Sequence, residues 1–153
     1  FDTEAQCWIQ TLKTAGRTEQ GFSVRHEWEV KLPLDNADAS VTPNWRFDLF
    51  AADAQAYLHE IADALHPVFH TDFQRDIFDY QLGGNHFEFA LDRGEVRLAD
   101  ERNSATRLIK DMEIEFIQGD LDAMQALAER AQTALNATPQ TLSKAARGYT
   151  LML

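Results

Sequence analysis

A chain of 153 residues has room for one domain with its own core, so a single domain over 1–153 is expected. Its 25 acids against 14 lysines and arginines leave a net charge of −11, which excludes general nucleic-acid or membrane-surface binding by dispersed basic residues. A single cysteine, Cys7, excludes a disulfide framework and a cysteine-based zinc site and points to a reducing, cytoplasmic setting.

No apolar run approaches the roughly 18 residues of a spanning helix, so no membrane is expected as a partner. The chain starts at Phe1 with neither Met nor a signal-peptide pattern, and is expected to be a piece of a longer protein. Residues 6–14, QCWIQTLKT, alternate as a strand does, and AGRTEQGF follows as a hairpin connection. In residues 23–32, SVRHEWEVKL, Arg25, Glu27, Glu29 and Lys31 fall on every second position between Val24, Trp28, Val30 and Leu32. Successive strand side chains point to opposite faces, so one face is charged and the other mostly apolar. The two strands are expected to pair antiparallel, with Lys13 joining the charged row where the register allows. Residues 33–50 carry two prolines and read as a loop.

Residues 51–65 place Ala54, Tyr57, Leu58, Ile61 and Leu65 at helical spacing, and Pro67 follows the end of this amphipathic helix. Residues 68–82 read as a strand, GGN as a turn and residues 86–99 as the hairpin partner. After the polar break DERNSATR, residues 108–118 alternate Asp111, Glu113 and Glu115 with Met112, Ile114 and Phe116. Residues 119–137 predict a helix with Leu121, Met124, Leu127, Ala128, Ala131 and Leu135 on one stripe. Pro139 ends it, and TLSKAARGYTLML closes the chain with a basic turn and an apolar tail.

One charge-alternating strand is most simply a solvated sheet face. Here the pattern recurs in three strands, and Lys13 and Arg75 add candidates from two more. The opposite faces carry Trp8, Trp28, Phe87, Phe89 and Phe116, and two helices can cover them. That combination favours an α+β fold: an antiparallel β-barrel, helices packed outside, charge inside. Carboxylates two apart on a strand point the same way and suit a hard cation, Mg²⁺ or Mn²⁺, while Lys and Arg on facing strands suit phosphate oxygens. His26, His59, His66, His70 and His86 share no register and read as surface or edge residues rather than zinc ligands.

The segments TLKTAGR, RHEWEV, TDFQR, FALDRGEV, MEIEFIQGD and LSKAARGY occur in an order that resembles the CYTH domain, the triphosphate tunnel metalloenzymes, and is most similar to their bacterial inorganic triphosphatase branch. The resemblance implies a tunnel of antiparallel strands and metal-dependent hydrolysis of the terminal phosphate of tripolyphosphate or a related triphosphate. Class IV-type adenylate cyclisation, or polyphosphate binding without catalysis, are the alternatives. By motif, Lys13, Arg25, Arg75 and Lys144 would be substrate ligands and Glu113 and Glu115 metal ligands. Glu27, Glu29 and Asp92 would be catalytic lumen acids that hold metal-bound water or orient the basic residues. Arg93 and Arg147 receive no role, since their register can place them outside. The family's Glu-x-Glu-x-Lys strand and the Arg-x-Arg strand that follows it are absent before TLK, so the barrel is expected to be incomplete. An upstream segment, a partner chain such as a second copy in a homodimer, or an open tunnel would account for that. A helical CHAD domain often follows in this branch.

Overall fold

The computed structural model describes residues 2, 6–19, 22–32, 43–100, 102 and 105–153, with backbone alone at 18 and 19. Residues 33–42 of the expected loop, the Gln20–Gly21 tip and parts of the DERNSATR break therefore lie outside the described residues. The chain divides into two compact units, Phe1–Leu65 and His66–Leu153.

In the first unit, β1 (Ile9–Lys13) pairs antiparallel with β4 (Glu27–Lys31). Between them β2 (Arg17–Glu19) and β3 (Phe22–Val24) form a short ladder of their own, so the single strand expected over residues 23–32 is divided, with Arg25 and His26 between β3 and β4. The register sets Lys13 opposite Glu27, Thr11 opposite Glu29 and Ile9 opposite Lys31, so Lys13 does share the charged face. The other face, with Leu12, Trp28 and Val30, packs on Phe50, Ala54 and Leu58. Helix α1 (Ala52–Ile61) supplies the last two and runs into a 3-10 turn at Ala62–Ala64. The helix is narrower in its buried stripe than its sequence suggests: Tyr57 and Ile61 are exposed, because two residues a turn apart suffice to cover a two-stranded ladder. Gln10, buried, satisfies its amide by donating to the Asn44 carbonyl and accepting from the Arg46 N–H.

The second unit is a three-stranded antiparallel sheet of β5 (Phe69–Leu82), β6 (Asn85–Leu98) and β7 (Thr106–Gln118), in that order. Gly83 and Gly84 hold the positive φ angles that its tight hairpin demands. Helix α2 (Leu121–Leu135) starts on an Asp120 cap, ends on left-handed Asn136 and lies against β7. Met124 of its expected stripe is buried, whereas burial fades along the helix until Leu135 is exposed. The closing segment is a helix rather than a turn: α3 (Lys144–Thr150) is capped by the Ser143 hydroxyl and touches all three strands. Gly148 makes that seat, since a Cβ there would lie 2.6 Å from the Phe69 ring. Among the described residues the fold is thus α+β with antiparallel sheets, and strand pairing closes no barrel, as expected of an incomplete one. Among the described residues no helix is long and apolar enough to cross a membrane.

Candidate functional site

Register brings chemistry together in the second unit. Arg75, Asp92 and Asp111 are direct cross-strand partners in one row, and the next row on that face holds Ile77, Ala90 and Glu113. Two aspartates side by side repel, so this row requires cations. Arg75 donates from Nε and Nη2 to the two Asp92 oxygens, both at 2.7 Å, and from Nη2 to Glu113 Oε2 at 2.7 Å. From the first turn of α3, Lys144 Nζ meets Asp92 Oδ2 at 2.6 Å, contacts Glu113 Oε1 and stands 3.8 Å from Asp111 Oδ2. One turn on, Arg147 grips both oxygens of Asp111. Three cations and three carboxylates therefore neutralise one another around a buried Asp92. The Phe73 ring lies beneath two of the cations, with Lys144 Nζ 5.3 Å and Arg75 Cζ 5.5 Å from its centroid.

The electrostatics follow the geometry. Burial pushes the Asp92 carboxyl up, but the hydrogen bonds and charges of Arg75 and Lys144 outweigh it and hold the group below the usual carboxylate range. The same hydrogen bond to Asp92 raises the Arg75 guanidinium above its ordinary value, against the effect of burial. Asp92 thus stays an anion and Arg75 a cation over the whole physiological range.

In the first unit a smaller version of this arrangement stands on the charged face of β1 and β4. Glu27 joins Lys13 at 3.0 Å and Arg25 at 2.5 Å. Burial raises its carboxyl, and the two cations together bring it below its ordinary value. Glu29 follows on the same face, exposed. An open cleft of about 420 Å³ adjoins this group, lined by Thr14, Arg17, Arg25, His26 and Glu27 among others. His26 stacks on Trp28, with centroids 4.0 Å apart.

Of the expected site residues, the structure joins Arg75, Asp92, Glu113 and Lys144 in one cluster and Lys13, Arg25 and Glu27 in another. Glu115 shares the face of Glu113 but lies one row further on, opposite Glu88, which is itself opposite Asp79. Arg93 is on the reverse face, paired with Asp76 at 2.6 Å. Sequence reasoning passed over Arg147 and Asp111. Arg147 is nearly buried rather than outside, and the sequence offered only a slight signal of it, an arginine three residues after Lys144 beyond a serine able to cap a helix.

Both units thus carry an antiparallel sheet with a face on which lysines and arginines are paired with carboxylates. The CYTH domain matches residues 3–149, and the chain belongs to that family. CYTH domains act on triphosphates with divalent cations. Among the described residues no three His, Cys, Asp or Glu side chains are gathered so as to hold a metal. The donor chemistry nevertheless fits a hard cation: Glu113 and Glu115 offer only oxygen, two residues apart on one strand face, and such ions complete their shell with water and phosphate oxygens.

Proposed function

We propose that this domain binds inorganic tripolyphosphate or a related triphosphate and hydrolyses its terminal phosphate. The observation that carries this reading is the convergence of Arg75 and Lys144 on Glu113 and Asp92. Both cations are poised on a sheet face by carboxylates that can release them to phosphate oxygens. Arg75 would hold two oxygens with its planar fork and Lys144 one as a point charge. In the first unit Lys13 and Arg25 would serve as phosphate ligands in the same way, with Glu27 orienting both. Asp92 orients Arg75 and Lys144, and Glu29 completes the acidic row of β4.

Glu113 and Glu115 are proposed to hold Mg²⁺ or Mn²⁺, which when bound supplies Lewis-acid polarisation of the phosphoryl group and places the attacking water. Water adds to the terminal phosphorus, the bridging P–O bond breaks, and pyrophosphate and orthophosphate leave. Arg75 and Lys144 neutralise charge on the transferred group as that bond lengthens. The lone Cys7, buried, suits a cytoplasmic setting.

The test is phosphate release from tripolyphosphate, with and without Mg²⁺ or Mn²⁺, on a sample whose intact mass matches this chain. Metal-dependent release supports the reading. Retained tripolyphosphate binding without release would reduce the domain to a binding module.

A further inference from the structure

We propose that Arg147 is a positioning residue: by holding Asp111 it keeps that carboxylate from drawing Lys144 away from Asp92 and Glu113, where the ammonium would meet a phosphate oxygen. Asp92 and Asp111 are cross-strand neighbours, and the Lys144 ammonium stands unequally between them, 2.6 Å from Asp92 Oδ2 and 3.8 Å from Asp111 Oδ2. Two like carboxylates on one row would share an ammonium more evenly if nothing else held either of them. Something else holds Asp111, since Arg147 Nη1 and Nη2 each meet one of its oxygens.

Solvent is a poor substitute for that arginine. The side chains of Lys144, Asp111 and Arg147 are 16%, 14% and 10% exposed, so charges there are weakly screened. Without Arg147, the cation left within 4 Å of Asp111 among the described residues is Lys144. A movement of about 1 Å would bring its ammonium to Asp111 at ordinary ion-pair distance and pull on its contacts with Asp92 and Glu113. The local sequence keeps the two cations apart. Lys144 and Arg147 project from one turn of α3, whose start is fixed by the Ser143 hydroxyl and whose height over Phe69 is fixed by Gly148, so each reaches its own aspartate. A planar fork suits the task because it fills both oxygens of Asp111, whereas a lysine would leave one open. Arg147 is itself nearly buried with its fork occupied, so it acts through Lys144 rather than on a ligand.

This inference rests on the reading of Lys144 as a phosphate ligand, and its test separates the two. Carbodiimide joins the Lys144 amine to whichever carboxylate it touches, and peptide fragmentation identifies the partner with no ligand present. R147M should raise the Lys144–Asp111 product severalfold at the expense of Lys144–Glu113, and R147M/D111N, which removes both the arginine and the competing carboxylate, should restore the Lys144–Glu113 yield. Tripolyphosphate affinity by calorimetry should follow, about tenfold weaker in R147M and within about twofold of wild type in the double variant. A helix merely unseated by the loss of Arg147 would lose the Lys144 products in R147M, and the double variant, lacking the same anchor, would not recover them. That outcome overturns the proposal, as does an unchanged product ratio in R147M. Should R147M fail to fold, R147K, which keeps a charge without the fork, decides in its place: the Lys144–Asp111 product should rise about twofold, and an unchanged ratio sinks the idea. The expected cross-links in a wild-type chain that binds no tripolyphosphate would remove the proposed function and leave the positioning of Lys144 standing.

Discussion

Arg75 and Asp92 face each other directly across β5 and β6 and are joined by two parallel hydrogen bonds of 2.7 Å. Asp92 is shielded from solvent while Arg75 is about one-third exposed, so the aspartate carries the desolvation and the arginine repays it. Removing the buried partner of such a pair costs more than the pair itself is worth, because the remaining charges lose their compensation. Asp92→Ala should therefore destabilise the chain by about 2 kcal/mol or more, read from denaturant unfolding. A loss below about 0.5 kcal/mol would mean the pair contributes little.

The same aspartate gives a pH dependence. Its carboxyl titrates below the ordinary value of 3.8 in the folded chain, so the folded state binds fewer protons than the unfolded state. The stabilisation is complete above that ordinary value and is lost as the pH falls through the lower, folded value. Melting temperature should fall steeply below about pH 4 in wild type and less steeply in Asp92→Asn. Parallel profiles would contradict the assignment.

Neutralising the acids of β7 separates chemistry from binding. The double variant Glu113→Gln, Glu115→Gln should lower the rate of tripolyphosphate hydrolysis by about a hundredfold or more while tripolyphosphate still binds. Unaltered hydrolysis would remove both residues from the proposed metal site.

Lys13→Ala and Arg75→Ala should each weaken tripolyphosphate binding by about tenfold, the effect of one lost charge-assisted hydrogen bond. Affinity measured by calorimetry that stays level in either variant would strike that residue from the phosphate ligands.

Gly94 tests the sheet that carries the site. A Cβ there would lie 2.0 Å from the Asp72 carbonyl oxygen and 2.5 Å from Phe73 Cα, both main-chain atoms of the neighbouring strand that no rotamer change can clear. Gly94→Ala should cost about 3 kcal/mol in thermal unfolding, and a wild-type melting temperature would refute the close approach.

Much of this was legible because alternation is local. The row from Glu27 to Lys31 needs only one strand to be read, and the observed register places Lys13 beside it, whereas Arg25 precedes β4 and joins the row through its ion pair with Glu27. The β5–β6 hairpin was equally open to reading, since paired glycines between two alternating runs admit one turn geometry. The ion pairs of α3 were hidden for the opposite reason. Arg147 and Asp111 are 36 positions apart, and seven residues are too few to display a helical period, so only the docked helix reveals that the basic tail belongs on the acidic row. Ladder β2–β3 was missed because three-residue strands leave no alternation to count.

The neutrality of the cluster around Asp92 bears on encounter. With its cations already matched by carboxylates, that face adds no excess positive charge to set against the −11 of the chain. On the proposed function, a polyphosphate would be repelled at distances beyond a few ångströms and attracted only once its oxygens displace carboxylates from Arg75 and Lys144. Screening reaches about 8 Å at physiological salt, so added salt should quicken arrival by muting the repulsion and also quicken departure by loosening the contacts. Both rate constants should climb together with ionic strength, whereas a positively charged mouth would slow arrival.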